Sequence, residues 1–262
     1  MPDDADSDDV ISPHVARAPS DVLNDPRSLK PVELTVVMPV YNEEASLPDC
    51  AASWISMLDQ IGADYRILII NDGSNDTTES VLADLDTHPR VIGITKPNEG
   101  HGPTILRGYH VGAQTSEWVF QVDSDDEIPA TAFPAVWAAR NGVDAVFGIR
   151  TGRFQPLDRK IISKVATVTA RLMLRGHVRD VNVPFRLMRS TVLTPVINSL
   201  PENTFAPNVI IAGALGRDSL SFAEIPVPHN ERQAGEVSIV GWGAIKAAMR
   251  SFRQTVRLAR SI

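Results

Sequence analysis

The sequence predicts an α/β fold, a mostly parallel twisted sheet with helices on both faces. Three observations carry that prediction. Short apolar runs rich in β-branched residues alternate with segments of helical spacing. Short connections between such alternating elements imply βαβ units in a sheet covered on both faces. Polar clusters then fall where apolar runs end, YNEE after the first, NDGSND after the second and DSDDE after the fourth. Open parallel sheets bind ligands beyond the carboxyl ends of their strands, so this placement points to one shared site.

The elements follow in order. ELTVVMPVY (33–41) reads as a buried strand. Glu43 to Ile61 has helical spacing through Leu47, Ala51, Trp54, Ile55 and Leu58, with Pro48 tolerated in the first turn. YRILII (65–70) is a second strand, and 77–85 is a helix that Asp76 is placed to cap. VIGITK (91–96) is a third strand, and 103–114 is a helix with Pro103 at its first position. WVFQVD (118–123) is a fourth strand, followed by a helix near 131–141 and a fifth strand at 144–149. The second half is less regular: helical at 158–175, extended at 181–189, helical at 207–216, extended at 221–229 and helical at 241–260.

The ends differ from the middle. Residues 1–30 hold seven aspartates against Arg17, Arg27 and Lys30, and are expected to form a disordered acidic tail. Residues 31–240 are expected to form the main domain. Residues 241–262 contain Lys246, Arg250, Arg253, Arg257 and Arg260 and no acid. There Trp242, Ile245, Met249, Phe252, Val256 and Ala259 share a helical stripe, the pattern of a basic amphipathic helix on an anionic membrane surface or packed on the domain.

Composition excludes several classes. A net charge of −7 argues against a nucleic-acid binder. The single cysteine, Cys50, leaves no intramolecular disulfide and no thiolate metal site, and fits a reducing compartment. The acidic start lacks the apolar core of a secretory signal, and no run approaches a membrane span. There is no H-E-x-x-H, G-x-S-x-G or Walker A pattern. Asn98-Glu99-Gly100-His101-Gly102-Pro103 begins like a dinucleotide fingerprint, but position 105 is Ile and the segment follows the third strand.

The sharpest chemical feature is Asp123-Ser124-Asp125-Asp126-Glu127. If its backbone stays extended, alternation sends Asp123, Asp125 and Glu127 the same way. Hard oxygen ligands without His or Cys suit Mg²⁺ or Mn²⁺, where a solvated acidic turn is the plainer alternative. Asp72, in a good strand-to-helix turn, could accept hydrogen bonds from a base or ribose. Arg150, Arg159, Arg186 and Arg232 lie at element ends or in loops, where guanidinium forks can meet phosphate.

Together, VVMPVYNEE, IINDGSNDTT, NEGHGPTILRGYHVGA, VFQVDSDDE, FGIR, DRKIISK, DVNVPFRLMR and RQAGEVSI resemble family 2 glycosyltransferases over residues 34–240. The likeness is to the branch of dolichol-phosphate mannose synthases and polyprenyl-phosphate glycosyltransferases. It implies a GT-A fold and an inverting transfer of sugar from a UDP- or GDP-linked donor to a polyprenyl phosphate. Pro39, Tyr41 and Glu43 would line the nucleotide pocket, with Asp72 near the base or ribose. Asp123, Asp125 and Glu127 would hold Mg²⁺ or Mn²⁺ and the diphosphate, with Asp125 and Arg150 nearest the chemistry. Arg159 and Arg232 would meet phosphates, and Arg186 would stand beside Asp180. The chain departs from that pattern at Glu127, at VPFR and at PENTFAPNVIIAG, where sugar or acceptor is chosen. Glucose, mannose and an N-acetylhexosamine therefore stay open as donors. The expected location is cytoplasmic, peripheral on the cytoplasmic face of the membrane, reached through the terminal helix or a separate membrane protein partner. The rivals are a GT-A enzyme with a soluble or polysaccharide acceptor and a non-catalytic nucleotide-sugar binding subunit.

Overall fold

The computed structural model describes residues 27, 30–151, 168, 173, 176–217, 219–230, 249 and 252–258. The acidic tail apart from Arg27 and Lys30, the expected helix at 158–175 apart from Val168 and Met173, Arg159, Arg232 and most of 241–262 lie outside the described residues.

Apolar β-branched runs form β1 (Val32–Val40), β2 (Tyr65–Asn71), β3 (Val91–Thr95) and β4 (Ser116–Val122). Helices α1 (Leu47–Ile61), α2 (Thr78–Leu85) and α3 (His101–Thr115) connect them. A 3-10 turn (Ala130–Ala132) and α4 (Phe133–Ala138) lead to β5 (Ala145–Thr151). Then come β6 (Phe185–Arg189), α5 (Ser190–Asn198), α6 (Pro207–Leu215) and β7 (Phe222–Pro228). One sheet runs in the order β3-β2-β1-β4-β6-β5-β7. All neighbours are parallel except β6, which runs antiparallel to both β4 and β5.

Strand alternation divides the core into two layers. Val37, Leu68, Ile70 and Val119 face α3, α5 and α6. Val36, Met38, Ile67 and Phe120 face α1 and α4. In the second layer Trp54, Phe120, Phe133 and Phe185 meet at tilted and edge-on angles, with centroids 4.7–6.1 Å apart. Such pairs add about 0.5–1.5 kcal/mol each beyond their buried area.

Three expectations shift. The third crossover helix begins at His101 rather than Pro103, because Gly100 caps it with φ 96°, open to glycine alone at little cost. Pro103 still falls in the first turn, where no intrahelical N–H is needed. Helix α5 lies beyond what the sequence pattern predicts: its Thr, Val and Ile and its internal Pro195 read poorly as helix. Burial of Leu193, Val196 and Ile197 overrides that propensity. In the terminal segment, helical over 252–258, Thr255 and Leu258 are the buried residues. Met249 and Phe252 of the predicted stripe are instead exposed, at 47% and 46%, beside exposed Arg253 and Arg257. No helix among the described residues is long and apolar enough to cross a membrane.

Candidate active site

The chain leaves β1 toward β2 and β3 on one side and later returns to place β4 on the other. That reversal opens a crevice between the carboxyl ends of β1 and β4. The β1–β4 ladder stops at Val37 and Gln121, so Pro39, which has no N–H to give, lies past its end. A cleft of about 1450 Å³ fills the opening. Pro39, Tyr41, Glu43, Asp72, Asp123 and Asp125, all candidates from the sequence, line it.

On the β1 side, two strand-end loops fasten to one another. Asn42, at φ 54°, accepts from the backbone N–H of Asn75 (2.8 Å) and donates its own N–H to Ser74 Oγ (2.9 Å). Glu44 accepts from the N–H of Thr77 at 2.8 Å, and Asn75 Nδ2 donates to the Tyr41 hydroxyl at 3.1 Å. Asp76 accepts from the Thr78 N–H at 3.0 Å, but the cap position of α2 falls one residue later than expected, at Thr77. Thr78 Oγ1 in turn takes the N–H of Glu43 at 2.9 Å, and Glu43 is buried at the cleft edge.

Asp72 closes an apolar strand because it is paired. The buried Lys96 ammonium donates to its Oδ1, and the N–H groups of Glu99 and Gly100 donate to Oδ1 and Oδ2, both at 2.9 Å. One carboxylate thus fixes the NEG turn that opens α3. Gly73, at φ 66°, makes room: a Cβ there would come within 2.7 Å of the Asn98 nitrogen. In the sequence Lys96 stands only as the end of a strand. The signal for its role is a lysine closing an apolar run one loop away from an aspartate that closes another.

The acidic cluster departs from the extended geometry expected of it. β4 ends at Val122, residues 124–125 form a turn, and Asp126 has φ 53°. Asp123 and Asp125 reach the cleft, whereas Glu127 is carried away beside β7, its Oε2 3.7 Å from His229 Nδ1 and its carbonyl accepting from Asn230 N–H. Among the described residues no three of His, Cys, Asp and Glu converge as a metal-holding group. Two carboxylates of this run therefore face the cleft where three were expected. Burial raises the pKa of Asp123, the nearby charge of Asp125 adds to the rise, and His101, Arg150 and Arg186 oppose it. His101 Nε2 stands 3.8 Å from Asp123 Oδ1. Burial also pushes the Cys50 thiol up to about 12, and the charges of Asp126, Asp125 and Glu43 push the same way.

Two arginines take other roles than those expected. Arg150 closes its fork on Asp180, Nε to Oδ2 at 2.8 Å and Nη2 to Oδ1 at 2.9 Å. Arg186 is fully buried and donates to the carbonyls of Val183 (3.0 Å from Nε), Asn208 (2.9 Å) and Val181 (3.2 Å). No face of it is open to a phosphate. It ties β6 to α6, and its position inside the sheet layer is what removes it from the cleft.

The opposite wall comes from segments distant in sequence. Asn182, Glu202, Asn203, Phe205 and Asn208 line it, facing Arg107 and His110 of α3. Gly102 lets the first turn of α3 press on this wall: a Cβ there would sit 2.2 Å from the Phe205 carbonyl oxygen. Gln254 of the terminal helix accepts the Phe205 N–H at 2.7 Å.

The sequence model for glycosyl transferase family 2 matches residues 35–195. The chain belongs to that family. Among curated relatives, undecaprenyl-phosphate 4-deoxy-4-formamido-L-arabinose transferase of Enterobacter sp. (strain 638) is 30% identical over 209 residues, covering 78% of this chain and 62% of the relative. The protein of that name from Shewanella sediminis (strain HAW-EB3) is 30% identical over 210 residues, covering 78% and 60%. The chain thus spans about three-fifths of the length of these relatives. Their names fall in the branch that the motifs resembled. Among solved structures, mannosyl-3-phosphoglycerate synthase from Rubrobacter xylanophilus aligns with a TM-score of 0.61 at 15% identity, over 88% of this chain and 75% of that one. Glucosyl-3-phosphoglycerate synthase from Mycobacterium tuberculosis, solved with Mn²⁺, UDP-glucose and phosphoglyceric acid, aligns at 0.60 and 16%, over 87% and 80%. These likenesses show the GT-A fold.

Proposed function

We propose that this chain transfers a sugar from a nucleotide diphosphate to a polyprenyl phosphate, with inversion, at a membrane surface. The observation that carries the reading is the pair Asp123 and Asp125 at the end of β4, across the switch-point cleft from Tyr41, Glu43 and Asp72. The names of the sequence relatives support the acceptor class.

The donor set fits a hard divalent cation, Mg²⁺ or Mn²⁺. Mg²⁺ is commonly held by one or two carboxylates plus substrate phosphates, so Asp123 and Asp125 suffice if the diphosphate brings the remaining ligands. When bound, such a cation would neutralise the diphosphate as it leaves. Glu127 is not needed in that arrangement. A phosphate oxygen of the lipid attacks the anomeric carbon opposite the leaving group, the bond to the diphosphate oxygen breaks, and the configuration inverts. With a second pKa of about 6, the lipid phosphate is already largely dianionic near neutrality, so no general base is assigned. The protein's work is positioning and charge. The fastened loops of the β1 side hold the nucleotide, while Arg150, locked to Asp180, acts on the cleft through its field. Arg159 and Arg232 keep the assignment to phosphates that their motifs imply.

Membrane association would rest on the outward face of the terminal helix, where exposed Met249 and Phe252 lie beside Arg253 and Arg257. This leaves a separate membrane partner optional.

The test is product mass spectrometry on the protein incubated with Mg²⁺ or Mn²⁺, polyprenyl-phosphate vesicles and a panel of UDP- and GDP-sugars. A glycosyl phospholipid from one donor, reduced about 10²–10³-fold in Asp125→Asn, is expected, the size of losing one preorganised electrostatic group. Transfer only to soluble acceptors, or a wild-type rate in the variant, would overturn the reading.

A further inference from the structure

Among the described residues, one buried side-chain donor reaches Asp123: Gln121 Nε2, at 2.9 Å from Oδ1. Gln121 is fully buried, on the face of β4 shared with Val119, where an apolar residue is the ordinary occupant. A buried amide must have its donors and acceptor matched. Gln121 Oε1 accepts from Asn208 Nδ2 at 3.1 Å. Asn208 Oδ1 accepts from the hydroxyl of the fully buried Tyr109 at 2.8 Å, and that hydroxyl also lies 3.4 Å from Gln121 Oε1. The Asn208 carbonyl is held in turn by Arg186, the register partner of Gln121 on β6.

The chain of bonds has a direction. Tyr109 has one proton to give, and giving it to Asn208 Oδ1 turns the Asn208 amide nitrogen toward Gln121. That nitrogen claims Gln121 Oε1 and leaves Gln121 Nε2 facing Asp123. Reversing Gln121 would set two NH₂ groups against each other and an amide oxygen against a carboxylate. We infer that Gln121, oriented by Asn208 and Tyr109, is a positioning residue that fixes the Asp123 carboxylate for the cation-binding side of the cleft. The inference rests on the proposed role of Asp123 as a cation ligand. A neutral donor is well matched to that role, because it holds one oxygen without cancelling the charge, and Oδ2 stays available. The network also joins Asp123 to the opposite wall, since Asn208 lines the cleft at the start of α6.

The test uses the full chain with Mn²⁺ and UDP as probes. Mn²⁺ affinity in the presence of UDP is measured by titration calorimetry or by the electron paramagnetic resonance of the free ion. Partners behind a metal ligand typically change metal affinity 10–100-fold. Gln121→Leu, of similar size and without a donor, is expected to weaken Mn²⁺ binding about tenfold or more. Metal-free UDP binding should stay within about twofold, as the network lies off the β1 loops. Tyr109→Phe keeps the ring and removes only the hydroxyl, and is expected to shift Mn²⁺ affinity in the same direction by less. It decides the matter if Gln121→Leu does not fold. Wild-type Mn²⁺ affinity in folded variants would overturn the inference and leave the glycosyl-transfer reading standing. A wild-type protein that binds no Mn²⁺ with UDP would remove the cation from both.

Discussion

The two sides of the cleft are built on opposite plans. The β1–β3 side is local: the loops after the consecutive strands β1 and β2 fasten to each other through Asn42, Glu44, Asn75 and Asp76, and one buried ion pair, Lys96–Asp72, anchors the turn before α3. The far side is assembled from β4, α6 and the segments entering β6 and α6, held by the neutral amides of Gln121 and Asn208. A local plan tolerates little loss of charge, because the buried Asp72 carboxylate rests on one ammonium and two backbone N–H groups. A distributed plan fails by geometry, when one element slides against another.

The largest expected effect tests the first plan. Lys96→Met removes the ammonium and leaves Asp72 buried and charged, with a cost of about 3–5 kcal/mol in urea or thermal unfolding. A loss below about 1 kcal/mol, the worth of an ordinary hydrogen bond, would mean that the two backbone N–H groups carry the carboxylate by themselves. Next, Gly102→Ala strikes the seam between the sides. Its methyl would meet the Phe205 and Thr204 carbonyls at 2.2 and 2.4 Å, and overpacking of that kind costs about 1–3 kcal/mol. A lowered midpoint together with weakened UDP binding would show the seam to be shared, whereas unchanged stability would show that the 204–205 wall yields freely. The smallest effect lies at the outer edge of the distributed side. Replacing Met249 and Phe252 together by Ser should lower association with phosphatidylglycerol vesicles roughly tenfold, through apolar area withheld from the lipid. Unchanged partitioning would return that face to solvent.

The same contrast explains what the sequence disclosed. The parallel strands, three crossover helices and the cleft residues Asp72, Asp123 and Asp125 were legible because they follow local rules, apolar period, turn chemistry and position at a strand end, whereas Pro39, Tyr41 and Glu43 came from the family resemblance. Helix α5 was hidden by residues that prefer other conformations and are recruited by burial. The reach of the acidic run was hidden by a positive φ at Asp126, which bends Glu127 out of the set that alternation had drawn together. Arg150 and Arg186 looked like phosphate ligands because an arginine at an element end gives no sign of whether a carboxylate or a carbonyl already occupies it. Gln121 and Asn208 carry no pattern at all, since their meaning lies in a contact across 87 residues.

The antiparallel run of β6 has a topological consequence. Because β5 runs out toward the cleft and β6 runs back from it, β5 ends at Thr151 and β6 begins at Phe185 on the same rim. The approach to β6 brings Arg150's partner Asp180 and the cleft residue Asn182 to that rim. Both ends of the connection from Thr151 to Phe185 are thus fixed at the mouth of the cleft, and its described part, 176–184, is tied into the core through Val178, Val181 and Val183.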